Sequence, residues 1–145
     1  MARRMVIDRF IPPVPLSSKG HFDKHCHGDR AFTFHPQNFE HQGPFESFID
    51  ASLPVKQITV GVLHRGKAYT YKNLMARMSY LVETKWQAGE AGVNLIVDCS
   101  PDIEGRAFEV ACTLRERYKK KNYTINVGAY PIFGFKTRDS DRQKH

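Results

Sequence analysis

From Tyr71 onward the apolar positions fall at helical spacing. In YKNLMARMSYLVETKWQAGE, Leu74, Met78, Leu81, Val82 and Trp86 share one side of a 3.6-residue repeat, which predicts an amphipathic helix ending near Gly89 or Gly92. VNLIVDCS follows, a short apolar run rich in β-branched residues, and predicts a strand buried on both faces. SPDIEGRAFEVACTLRERYKKK returns to helical spacing, with Ile103, Ala107, Phe108, Ala111, Leu114 and Tyr118 as its buried stripe. Ser100 can cap that helix, Pro101 suits its first position, and Asp102 and Glu104 favour its positive end. YTINVGAYPIFGF predicts a further strand with Gly128 and Pro131 near its exit. Helices and strands alternating across short connections predict right-handed βαβ packing on a parallel sheet, an α/β fold. No internal repeat or low-complexity segment interrupts it.

The first half of the chain is less regular. Residues 1–20 read as an extended segment, because Pro12, Pro13 and Pro15 follow the short apolar stretch MVIDRFI. Residues 21–41 hold five of the seven histidines. Between 42 and 69 the pattern weakens to a short helix near PFESFIDASL and an extended segment at QITVGVLHRG, with His64 on the surface near a turn. A chain of 145 residues suits one domain that buries roughly two-thirds of its unfolded surface. The organisation is therefore an N-terminal segment (1–20), one domain (21–135) and a polar basic tail (136–145).

A net charge of +7 raises the question of an anionic partner. Arg3, Arg4 and Arg9 open the chain, Arg115, Arg117, Lys119, Lys120 and Lys121 cluster at a helix end, and Lys136, Arg138, Arg142 and Lys144 close it. Lysines at a helix C-terminus also complement the helix dipole. None of these clusters shows the interleaved aromatic pattern of an RNA-binding sheet, and no helix-turn-helix or zinc-finger spacing is present. Nucleic acid is thus a minor reading, and a solvated face or a surface for an acidic partner subunit is the main one. No apolar run approaches the roughly 20 residues that span a bilayer, and no signal peptide is expected. Cys26, Cys99 and Cys112 are odd in number and widely separated, which gives no disulfide framework and points to a cytoplasmic protein.

GHFDKHCHGDR carries the candidate chemistry. On a strand, His25 and His27 point to the same face, so both imidazoles can reach one ion, while Cys26 points to the opposite face as a small buried hydrophobe. Neutral imidazole suits zinc, iron and related divalent ions. Asp29 can support a ligand or order the following loop. A catalytic zinc normally has at least three protein ligands, and an isolated HxH pair supplies two. His21, His35 and His41 have spacings that fit no standard metal module and read as solvent-exposed. A Cys26–His27 nucleophile–base pair is disfavoured because neighbouring strand residues face opposite ways.

In context, GHFDKHCHGDRAFT resembles the first barrel strand of the amidohydrolase superfamily, where HxH, often followed by an aspartate two residues on, opens a metal-dependent hydrolase. VNLIVDCSPD, EGRAFEVACTLRERYKK and INVGAYPIFGF follow in the order seen in its cytosine-deaminase-like branch, so the resemblance spans roughly residues 19–135. It implies the N-terminal portion of a (β/α)8 TIM-type barrel, about three parallel strands and two clear helices, with metal at the C-terminal strand ends. The resemblance assigns His25 and His27 as the first two metal ligands and Asp29 as the neighbouring acidic position. Asp98, at a strand's C-terminal end, is either a substrate-side residue or a cap for the next helix together with Ser100. The implied cofactor is a divalent ion, zinc first and iron or manganese next, whose bound hydroxide attacks a C–N centre in a small cyclic or amide substrate. Ile96 stands where that branch commonly has histidine, and Ile132 where it commonly has a pyrimidine-reading glutamine; both argue against cytosine itself. A full barrel needs about 250 residues, and the later strands carry the other ligands and the general acid/base. The expectation is a complementary subunit, or self-association, that completes the site. The alternative is a catalytically incomplete half-barrel acting as a structural or interaction subunit.

Overall fold

The computed structural model describes residues 20–33 and 50–130. Three strands, β1 (Phe22–His27), β2 (Gly92–Asp98) and β3 (Thr124–Tyr130), form one open sheet in the order β1-β2-β3, parallel throughout. Among the described residues three α-helices accompany them: α1 (Leu53–Arg65), α2 (Tyr71–Gln87) and α3 (Arg106–Lys119). Short 3-10 turns at Gly28–Arg30, Lys67–Tyr69 and Pro101–Ile103 follow β1, precede α2 and follow β2. This is the α/β arrangement with a parallel sheet that the alternating pattern predicts.

One face of the sheet meets the helices. Val93, Leu95 and Val97 of β2 and Ile125 of β3 are buried with Leu74, Met78 and Val82 of α2 and Ala107, Val110, Ala111 and Leu114 of α3. Cys26, Leu81, Trp86 and Val127 pack against this cluster while partly exposed. Burial of a Leu- or Val-sized side chain contributes roughly 1.5–3 kcal/mol, so this layer is the main stabilising feature. On β2 the alternate residues Asn94 and Ile96 are only half-buried. The strand is therefore closed on one face, not on both as its apolar run predicts. At its start the backbones come very close: a Cβ on Gly92 would lie 2.4 Å from the Thr124 carbonyl oxygen, which only glycine tolerates.

Three other expectations are corrected. QITVGVLHRG is helical, the body of α1, with Pro54 in its first turn as the fixed proline φ allows. The segment from Ser100 does not start one continuous helix. Pro101–Ile103 forms a 3-10 turn, Glu104 and Gly105 take positive φ (52° and 70°), and α3 begins only at Arg106. Phe108 is 41% exposed and leaves the buried stripe, whereas Val110 enters it. Residues 1–19, His35, His41, the PFESFI part of the expected short helix, Ile132 and the 136–145 tail lie outside the described residues. Among the described residues no helix is long and apolar enough to cross a membrane.

Candidate metal centre

β1 is not a regular strand. Asp23 pairs in register with Val93 and Cys26 with Leu95, so three steps on β1 match two on β2 and one extra residue is accommodated as a bulge. Strict alternation would have put Asp23, His25 and His27 on one face. The bulge separates them: Asp23 turns to α2, where Lys85 Nζ donates to it at 2.7 Å, and Cys26 packs on the core. The extra residue's amide is satisfied locally, His25 N–H donating to Asp23 Oδ1 at 3.0 Å. Burial raises the Asp23 carboxyl, but hydrogen bonds from Lys85 and the His25 amide outweigh it and hold the group below the usual aspartate value.

His25 and His27 are left together on the face turned away from the core, as their spacing predicts. Their Nε2 atoms are 3.0 Å apart and the rings meet edge to face at 4.8 Å. Two ligands at 2.0–2.1 Å from a tetrahedral zinc stand about 3.3 Å apart, 0.3 Å more than this pair. Burial, then the neighbouring Arg30 charge, lowers the His27 pKa and favours the neutral, ligand-competent ring. Its Nδ1 lies 3.2 Å from the Tyr130 hydroxyl at the end of β3. The turn after His27 is tight: a Cβ on Gly28 would come within 2.9 Å of Leu95 Cδ2. Burial pushes the Cys26 thiol up to about 11, which suits a packing role and not a nucleophile.

Asp29 is fully buried and orders the turn instead of reaching toward the histidines. Its Oδ2 accepts from the Tyr69 hydroxyl at 2.9 Å and from the Asp98 backbone N–H at 3.2 Å, tying the ends of β1 and β2 together. The same turn is clamped by Arg77 of α2, whose buried guanidinium donates to the carbonyls of Asp29 (2.8 Å), Ala31 and Ala68 (2.6 Å). A buried cation satisfied by carbonyl dipoles fixes the loop geometry after the HxH strand.

Asp98 is buried as well. Its Oδ1 accepts both the N–H and the Oγ–H of Ser100 at 2.8 Å, but neither side chain caps the helix as expected, since α3 starts after Gly105. Its Oδ2 faces His64 Nε2 at 3.7 Å and Arg30 Nη2 at 3.9 Å. Burial raises the Asp98 pKa against the Ser100 hydrogen bonds and the His64 charge. His64 is therefore no surface residue: it is 1% exposed, and its Nδ1 lies 3.0 Å from Asp102 Oδ2. The signal for it was available in the spacing Val60, Leu63, His64, one buried face of α1 once that segment is read as a helix. Asp29 Oδ1, Arg30 Nε, His64 Nε2 and Asp98 Oδ2 are buried without a hydrogen-bond partner, so unspent polar capacity gathers at the strand ends.

His25 and His27 are thus brought together. Asp29 and Asp98 join each other, not the histidine pair, and His21 is exposed at the strand's start. Among the described residues no group of three or more His, Cys, Asp or Glu side chains converges as a metal site. Comparison of this chain with protein-family models, with curated proteins and with solved structures gives no match.

Proposed function

We propose that this chain supplies the first metal-binding strand of a metal-dependent hydrolase of amidohydrolase type, acting on a C–N bond of a small cyclic or amide substrate. The observation that carries the reading is the pair of imidazole nitrogens 3.0 Å apart beside the C-terminal end of a parallel strand, on the face not covered by the core. In such a site a divalent ion, zinc first and iron or manganese next, would lower the pKa of a bound water to give a hydroxide nucleophile. His25 and His27 would hold that ion through Nε2. Asp29 and Arg77 keep the turn after His27 in place, and Arg30, partly exposed at the strand ends, is available for substrate-side contacts, whereas Asp98 is fully buried. Ile96, level with His27 in the sheet, gives the neighbouring position an apolar surface, which argues against a polar pyrimidine edge there.

The reading includes a partial (β/α)8 barrel completed by a complementary chain or a second copy. It draws support from the open parallel sheet, in which β1 and β3 each pair on one side only among the described residues. Further ligands and the general acid/base would come from that partner. The test is the metal content of the protein purified without chelator from its source, with co-purifying chains identified. Near-stoichiometric metal that disappears in a His25→Ala/His27→Ala variant supports the site; a metal-free native assembly rejects it.

A second reading, a half-barrel that serves as a structural subunit, is favoured by α1. Leu53, Val55, Ile58 and Val62 are exposed along that helix, Ile58 and Leu53 each by 68%. Such a role would leave assembly unchanged in His27→Ala.

A further inference from the structure

We infer that Tyr130 is the positioning residue of the histidine pair: its hydroxyl governs which nitrogen of His27 carries the proton, and hence whether Nε2 can take an ion. The inference rests on the metal-centre reading above and deepens it.

Neutral imidazole has one N–H and one lone pair. Two polar atoms compete for them at His27, with Tyr130 Oη 3.2 Å from Nδ1 and His25 Nε2 3.0 Å from Nε2. When the Tyr130 hydroxyl donates to Nδ1, the ring proton sits on Nε2 and points at His25. The three side chains then form a closed hydrogen-bonded chain with no lone pair on His27 Nε2. When the hydroxyl turns to accept from Nδ1–H, the lone pair moves to Nε2 and faces His25. If His25 also presents its Nε2 lone pair, the two lone pairs are 3.0 Å apart and a cation between them relieves their repulsion. The exchange is balanced: one proton leaves Nε2, one arrives at Nδ1, and the charge of His27 does not change. Ion uptake through this route therefore releases no proton from His27.

The surroundings hold Tyr130 to this task. It stands opposite Asp98 in the β2–β3 register, one position beyond the paired Val97 and Ala129, at the same end of the sheet as His27. Its ring meets His27 edge to face at 5.4 Å, and the Arg30 guanidinium lies 5.6 Å from its centroid. A ring so fixed can offer its hydroxyl in two senses, as donor or as acceptor, but not withdraw it. Metal-bound histidines are generally oriented by such a partner on the other ring nitrogen, and its loss typically weakens the site 10- to 100-fold.

Tyr130→Phe keeps the ring and removes only the hydroxyl. The native assembly with the parent chain and the same assembly with this variant are compared in two ways, by Zn2+ affinity in competition with a chromophoric chelator and by 15N shifts of the His27 ring in the metal-free protein. The expected result is a 10- to 100-fold weaker Zn2+ site in the variant, with a redistributed His27 tautomer population and an unchanged unfolding midpoint. Equal Zn2+ affinity with unmoved His27 shifts overturns the inference and leaves the metal-centre reading standing. A parent assembly that takes no Zn2+, in a variant pair whose His27 shifts do differ, overturns the metal-centre reading and keeps Tyr130 as the tautomer control. Weaker Zn2+ binding with unmoved shifts also overturns it, because the hydroxyl would then act by some route other than the ring proton.

Discussion

The two faces of the β-sheet differ in what their residues do. On the core face, Val93, Leu95, Val97 and Ile125 are almost wholly removed from water between α2 and α3. On the other face, Asn94 and Asn126 bond side chain to side chain at 2.9 Å, Asn94 also donates to the Lys24 carbonyl at 2.9 Å, and His25, His27 and Tyr130 cluster beyond them. The first face carries the stability of the fold. The second carries groups that can be changed chemically at small cost to it. Apolar packing and polar side chains are thereby divided across one sheet, with the β1 bulge keeping Asp23 out of the second face.

This division can be broken most severely on the core face. Leu95→Ala should cost about 2–5 kcal/mol in denaturant unfolding, since it removes a fully buried side chain between two strands and two helices. Arg77→Met should cost about 3 kcal/mol, because two carbonyls at the β1 turn and that of Ala68 before α2 lose a charged donor in a buried place. Its signature would be lost protection of the Gly28–Arg30 turn in hydrogen exchange.

A smaller effect separates the Asp23–Lys85 contact from both faces. Asp23 lies below its usual pKa when folded, so the contact contributes above that usual value and is lost as pH falls through the folded one. Lys85 lies above its usual pKa: burial lowers it, but the Asp23 hydrogen bond and the Glu90 and Asp23 charges prevail. Its share is present below the ordinary lysine value and is lost as pH rises through the folded one. Lys85→Met should cost about 1 kcal/mol at neutral pH and lose that difference in acid, read from unfolding midpoints across pH. At the low end, His25→Ala should shift stability by no more than about 0.5 kcal/mol while removing Zn2+ uptake. A large loss of stability there would mean that the polar face is structural after all.

What the sequence made legible follows from how local each signal is. α2 could be read from Leu74, Met78 and Val82, which repeat at helical spacing and are all buried. α1 could not. Its valines and isoleucine are strand formers by propensity, and they occur on both sides of the helix, Val60 and Leu63 inward and Val55, Ile58 and Val62 outward. Tertiary contacts on the inward side decide the conformation, His64 with Asp102 and Tyr69 among them. Phe108 was misplaced because an aromatic beside Ala107 reads as core, whereas Ala107, Val110, Ala111, Leu114 and Tyr118 fill the buried face of α3 and leave it outside. The two histidines were legible because period two needs only three adjacent residues. The bulge was invisible because it is a relation between β1 and β2, and Tyr130 was hidden because it reaches His27 from 103 residues away.

The pairing of β1 with β2 has a kinetic consequence. β2 and β3 join partners such as Asn94 and Asn126, 32 residues apart, with α3 packed between them in sequence. β1 meets β2 only across a loop of about that length doubled, as in the Asn94 bond to Lys24 at a separation of 70. Closing the longer loop sacrifices more chain entropy before any contact rewards it, so β1 is expected to dock last. The histidine pair would then complete its surroundings only in the final step of folding, and Zn2+ added early should leave the first refolding phase unaltered.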